Sequence, residues 1–296
     1  MAQKVEMDYS AAEAALEYLE RPAPGKLKEL LGHTAYRLIV SHSRRYCSRP
    51  LSAQTLAQAF RKGSPEAGLG GLAGNRAGLA AALKYLKENE PAIRDEFLSL
   101  HLRYLPQDYC ETAVVRFALG GCDGIALDGQ VVVNLNDGRF LADRRELLLS
   151  LPHELFHLGF EYYRGLPDLA AARTVGDLKE FVMEFTMNEG LATLVPYEKR
   201  RSAGALDARH YSVLESAGDL EKKLRVFDAL LWELEARSKE ALTGGFRDRI
   251  LEELSRERLF YIAGCHKALA IERSLGREKL AQLVRFPASA FIYWEV

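Results

Sequence analysis

No apolar run in the 296-residue chain approaches the ~20 residues needed to span a bilayer. Its N-terminus, MAQKVEMDYSAAEAALEYLE, carries acidic residues and no signal-type apolar segment, so a soluble, cytoplasmic protein is the expectation. Charge of one sign is also lacking: 40 Lys and Arg face 41 Asp and Glu. That balance gives no electrostatic reason to expect nucleic acid or an anionic membrane as partner. The one local basic run, Lys199-Arg200-Arg201, reads as a solvated loop. Cysteine is scarce, at 47, 110, 122 and 265, and no two form a CxxC pair. A Cys-based zinc site is thereby disfavoured, and scattered buried thiols in a reducing compartment are expected. Repeats and low-complexity segments are absent. An apolar fraction of 48% suffices to bury a sizeable core.

Residues 8–20, 26–46 and 52–62 have the apolar spacing of helices. The glycine-rich stretch GSPEAGLGGLAGNRAG, residues 63–78, follows no strand. It reads as a flexible loop or tight helix–helix connection, not as a phosphate cradle. Helices are expected again at 79–89 and about 91–104. The chain then changes character. TAVVRFAL and QVVVNLN, within 112–135, are β-branched runs separated by glycines, which predict a small antiparallel sheet. From 143 onward the pattern is helical, with breaks near 164–175, 201–208 and 243–246. The fold class is mainly α with a small sheet (α+β).

Directly after the sheet comes LPHELFHLGF, with His153-Glu154-Leu155-Phe156-His157. On a helix, positions i and i+4 lie one above the other, so both imidazoles can address one point. Zinc accepts that geometry. Glu154, about 100° around the helix, is badly placed as a ligand but can reach a zinc-bound water as general base. The segment is otherwise apolar (Leu155, Phe156, Leu158, Phe160), and polar groups inside such a helix need partners, which a metal supplies. Pro152 sits within a helix that starts near 143, or in the first turn of one capped by Ser150.

A catalytic zinc usually has a third protein ligand. Position 163, where a third histidine at HExxHxxGxxH spacing would fall, is Tyr163. Glu161 lies about 12 Å along the helix from His153, too far to converge, and reads as a supporting partner. Downstream, DLKEFVMEFTMNEGLATLVPYEK offers several carboxylates. Asp177, Glu180, Glu184 and Asn188 share one polar, solvated face, whereas Glu189 shares its face with Val182, Phe185, Ala192 and Thr193. Metal ligation and a buried salt bridge both explain a carboxylate so placed, and the upstream HExxH favours the metal. Gly190 and Ala192 would let this helix approach a neighbour closely.

HExxH followed by NEGLA resembles the gluzincins, the thermolysin-like zinc peptidases. HELFHLGF, NEGLATLV, YIAGCHKALAIERSLGREKL and FPASAFIYW, over residues 110–296, look like an uncharacterised family of zinc-dependent peptidases. The resemblance implies a zincin-like catalytic domain, 108–296, behind a helical N-terminal region, 1–107. It implies His153, His157 and Glu189 as ligands to one Zn2+ per chain and Glu154 as general base. It further implies that strand 130–135 flanks the cleft and pairs with an extended substrate. The interval from His157 to Glu189 is longer than in thermolysin, and the insert YYRGLPDLAAARTVGD is expected to shape the cleft. Tyr261 and Gly264 fit a recurring Tyr-x-x-Gly, while Cys265 and Lys267 depart from the family pattern. Gluzincins commonly stabilise the oxyanion with a Tyr or His donor. Tyr261 and His266 are candidates, about 140° apart on one helix, and His210-Tyr211 is an alternative.

The sequence therefore predicts a zinc metallopeptidase that attacks peptide bonds through a zinc-bound water, with a peptide or protein as partner. A non-peptidase zinc amide or ester hydrolase, and a metal-binding protein without turnover, are the rivals.

Overall fold

The computed structural model describes residues 4–46, 50–165, 169–206 and 210–295. The chain forms two compact units, the first from residues 1–99 and 110–158, the second from 100–109 and 159–296.

The first unit is built on a four-stranded sheet of order β1-β2-β4-β3, from β1 (Val5–Asp8), β2 (Ala113–Ala118), β3 (Gly124–Leu127) and β4 (Gln130–Asn134). Mainly α with a small sheet is the observed class, but the sheet is mixed: β1, β2 and β4 run parallel, and only β3 is antiparallel, to β4. The two β-branched runs expected to pair antiparallel are β2 and β4, which pair in parallel; the antiparallel pair is β3 with β4. Asp128 and Gly129, both at positive φ (51° and 71°), close β3 onto β4 as a hairpin of the kind Asp-Gly favours. The parallel pairings join segments distant in sequence, which no local pattern reports. Arg116 on β2 is the register partner of Asp8 on β1 and is ion-paired to it. The strand expected to border the cleft, 130–135, is the inner β4, hydrogen-bonded on both sides. The edge strands of the sheet are β1 and β3.

Helices α1 (Ser10–Glu20), α2 (Pro24–Gly32), α3 (Thr34–Tyr46), α4 (Ala53–Lys62), α5 (Leu72–Glu88), α6 (Glu90–Ile93) and α7 (Gly138–Ala142) complete this unit, with most of α8 (Arg144–Arg164). The expected helix 26–46 is two helices, broken where His33 turns extended (ψ 145°). Helices α1 and α3 pack on the sheet. Tyr9 stacks on Phe117 at 5.2 Å, and the Tyr36 hydroxyl donates to the Leu119 carbonyl at 3.2 Å. The glycine-rich stretch divides. Residues 72–78 already belong to α5, and residues 67–69 press against the chain after β2. The Gly121 N–H donates to the Ala67 carbonyl at 2.7 Å, and a Cβ on Gly68 would stand 2.4 Å from the Gly121 oxygen. Asn136 Nδ2 ties this loop down through the carbonyls of Gly68 and Gly70, each at 2.9 Å. Gly68 thus serves close backbone packing, at a positive φ (67°) that also favours glycine.

The second unit is helical: α9 (Val175–Leu194), α10 (Tyr197–Ser202), α11 (Tyr211–Leu214), α12 (Ala217–Ala236), α13 (Gly244–Arg256), α14 (Leu259–Leu275), α15 (Arg277–Gln282) and α16 (Ala288–Ile292). Thr174 and Asp177 start α9 with a reciprocal capping box. The central pair is α9 against α14. The two backbones nearly touch: a Cβ on Gly190 would lie 2.2 Å from the Gly264 carbonyl carbon. The close approach expected of Gly190 is therefore present. No described helix is long and apolar enough to cross a membrane. Cys110 and Cys122 are exposed, contrary to the expectation of buried thiols, while Cys265 is buried. Cys47 and residues 166–168 of the expected cleft-shaping insert lie outside the described residues.

Candidate metal centre

Helix α8 starts at Arg144, so Pro152 is an interior residue that cannot donate to the carbonyl one turn back. From Leu147 to Phe160 the helix is buried except at Ser150, His153, Glu154 and His157. These positions, with half-buried Glu161 one turn on, recur at three- and four-residue intervals. They form one polar strip on an otherwise apolar helix. The strip carries the whole HExxH motif.

His153 and His157 direct the same atom type at each other. Their Nε2 atoms are 3.2 Å apart, with ring planes at 88°. Two nitrogens each bound to zinc at 2.0–2.1 Å with a tetrahedral angle stand about 3.3 Å apart. The pair is thus spaced as zinc ligands are. With Nε2 as the donor atom, each neutral ring carries its proton on Nδ1. Glu154, next on the strip, lies with its carboxyl group directly against the backbone of β3 at Gly124.

Glu189 sits on α9, within a stretch from Thr186 to Val195 that is buried at every position. Glu189 itself is 7% exposed. The solvated face expected for Asp177, Glu180, Glu184 and Asn188 is only partly present. Asn188 is also buried, and Glu184 is not on a solvated face: it accepts two hydrogen bonds from Arg164, at 2.7 and 2.8 Å, with only 14% of its side chain exposed. Of that group, Glu180 remains outward and Asp177 belongs to the capping box. Among the described residues, His153, His157 and Glu189 are a group that could hold a metal ion, each offering one ligand atom. Two imidazoles and one carboxylate are a donor set that zinc accepts in catalytic sites.

The two oxyanion candidates on α14 have different surroundings. Tyr261 lies between His210, at 5.3 Å between ring centroids, and Arg258, whose guanidinium is 3.5 Å from the Tyr261 ring centre. Arg258 holds a left-handed backbone (φ 56°) at the start of α14. His266 instead lines a cavity of about 250 Å³ with Tyr197, Arg201, Glu215 and Arg273. Burial, then the nearby charges of Arg273 and Lys267, push its pKa below the usual histidine value. His210 and Tyr211, the weaker pair in sequence, are adjacent to Tyr261 and to the end of α9, where the Tyr211 hydroxyl donates to the Thr193 carbonyl at 3.1 Å. Gly124 was missed in sequence. Its signal was a glycine opening a strand, a place where backbone often meets another group closely.

Fold and polar strip together define a mainly helical α+β protein with a histidine–carboxylate group suited to a metal. A family model described as "Putative zinc dependent peptidase (DUF5700)" matches residues 27–294. The chain belongs to that family, and α3 to α6 of the N-terminal helices fall inside the match. No curated protein and no solved structure matches the chain significantly. Family membership supports zinc-dependent peptidase function at that coarse level.

Proposed function

We propose that this protein is a gluzincin-type zinc metallopeptidase. His153, His157 and Glu189 would hold one zinc ion per chain, and peptides or proteins would be its substrates. The observation that carries the reading is the 3.2 Å spacing of the two Nε2 atoms within a three-residue donor group. Zinc, when bound, supplies a Lewis acid that polarises a carbonyl and lowers the pKa of water.

The remaining chemistry belongs to the chain. Glu154 follows the first ligand on the same strip and accepts a proton from the attacking water, then returns it to the leaving amine. Of the two donors on α14, Tyr261 is the better placed to stabilise developing negative charge. It precedes Gly264 by one turn, on the side of α14 that meets α9, whereas His266 belongs to the cavity bounded by Tyr197 and Glu215. Hydrolysis of another amide or ester would use the same groups.

Glu154→Gln is the decisive variant. It retains the shape and a hydrogen-bonding amide but cannot take the proton. Zinc content and folding should stay near wild type, with kcat reduced at least ~100-fold. An active wild type whose Glu154→Gln form keeps its kcat would refute the mechanism. A wild type that holds zinc and cleaves nothing in a broad peptide library would be a binding protein.

A further inference from the structure

Gly124 opens β3, paired in register with Val133 of β4. It is absent from the positive-φ residues, so its backbone is one that any amino acid adopts. A glycine inside a strand weakens it, through chain entropy and the lack of a side chain to pack. Conformation therefore does not explain this glycine. Space does. A Cβ at position 124 would stand 2.4 Å from both Cδ and Oε1 of Glu154 and 2.7 Å from its Cγ. All three of the nearest atoms belong to that one side chain.

We infer that Gly124 is a positioning residue for Glu154: the volume that any other residue's Cβ would fill is the seat of the Glu154 carboxylate. The inference rests on the reading of Glu154 as proton acceptor for its functional meaning, but the seat is a matter of packing alone. Laid on the strand backbone, the carboxylate is denied the rotamers that would turn it across β3. Its height above the sheet is then set by main chain, the stiffest part of the unit. Ordinary carbon contacts begin near 3.4 Å, so an added methyl group must drive the carboxylate about 1 Å from its place. Displacements of that size at a reacting group cost on the order of 100-fold in rate.

A double-mutant cycle tests this in two readouts. In metal-free protein, Gly124→Ala should lower the melting temperature when residue 154 is Glu, and leave it unchanged or raise it when Glu154→Ala has emptied the seat. Equal shifts in both backgrounds would overturn the inference, because the glycine would then serve the strand and not the carboxylate. If Gly124→Ala alone fails to fold, recovery of folding in Gly124→Ala/Glu154→Ala supports the seat, and failure of both overturns it. In the zinc-loaded enzyme, Gly124→Ala should lower kcat by roughly 10- to 100-fold with zinc content and KM near wild type. In the Glu154→Asp background, where the acid is one methylene shorter, the same substitution should cost little. A loss of equal size with Asp at 154 would count against the seat. Absence of any hydrolysis by wild type would defeat the functional reading, while the melting cycle would still decide the role of Gly124.

Discussion

Gly190→Ala is the substitution whose effect the structure specifies most closely. A Cβ there would lie 2.2 Å from the Gly264 carbonyl carbon, 2.3 Å from its Cα and 2.7 Å from the Cys265 nitrogen. All three are backbone atoms inside a helix, so no rotamer change relieves the clash. Relaxing 2.2 Å to an ordinary contact near 3.5 Å requires α9 and α14 to separate by about 1.3 Å. Both helices are almost wholly buried along this stretch, and a radial gap of about 1 Å forfeits a quarter to a half of the dispersion energy of each contact it opens. Overpacking costs of 1–3 kcal/mol are usual, and a backbone-on-backbone clash belongs at or above the top of that range. The melting temperature should fall by about 5–10 °C, at ~2–4 °C per kcal/mol for a chain of this size. Because residue 190 adjoins Glu189, the shift should also weaken zinc uptake. Gly74→Ala supplies the opposite sign. Gly74 is exposed inside α5 with nothing within 4 Å of its added Cβ, so the alanine should stabilise by roughly 0.5–1 kcal/mol through helix propensity. Urea denaturation of the metal-free proteins reads both. A Gly190→Ala protein within 0.5 kcal/mol of wild type, on the order of an ordinary surface substitution, would refute the packing argument.

Two further outcomes are expected. Glu189→Ala should abolish most zinc binding, whereas Glu184→Ala should leave zinc affinity near wild type and instead cost about 1–3 kcal/mol of stability, because it strands the Arg164 guanidinium with little solvent; zinc titration and urea melts separate the two. For His266, burial and two cationic neighbours lower the folded pKa below the unfolded value near 6.5. As pH falls through that window the unfolded chain takes up a proton that the folded chain refuses, so stability drops on the acid side and is fully present above it. His266→Gln should therefore lose less stability than wild type between neutral and mildly acidic pH, and an unchanged slope would show that His266 titrates normally.

The parts of the site that lie close in sequence were legible, and those assembled from distant segments were not. His153, Glu154 and His157 could be read because helical spacing alone puts them on one strip, and the apolar residues between them show that the helix is buried. Glu189 was reached by contrast with a face thought to be solvated. The residue chosen stands in the candidate donor group, but the contrast was unsound: α9 is buried nearly all round from Thr186 onward, and Glu184 is held by Arg164. Periodicity cannot report such a helix, because burial on every side erases the polar stripe. The sheet shows the same division. Strands β2 and β4 were legible as local β-branched runs, whereas their parallel pairing was not, nor was β3, which holds a single β-branched residue. Strand β1 has only four residues, and its partner β2 lies more than a hundred residues away, so nothing near Val5 marks it as a strand.

Glycine is where sequence reading loses most, since the residue says that a side chain is missing but not what takes its place. Gly68 makes way for the Gly121 backbone, Gly190 and Gly264 for each other, and Gly124 for the carboxylate of Glu154. The first was expected in a flexible loop or tight helix–helix connection, the second was half foreseen as a close approach, and the third was expected only as one of the glycines separating two β-branched runs. All are forms of one packing device, in which main chain is brought to within a distance that any Cβ would forbid. Main chain has no rotamers, so a group set against it is fixed more tightly than one set against side chains. A proposed proton acceptor and a proposed metal-ligating helix would both require such fixing, since a shift of about 1 Å in either is expected to cost rate or affinity as well as stability. Substitutions at Gly124 and Gly190 should therefore impair function through geometry while every candidate ligand and acid remains in the sequence.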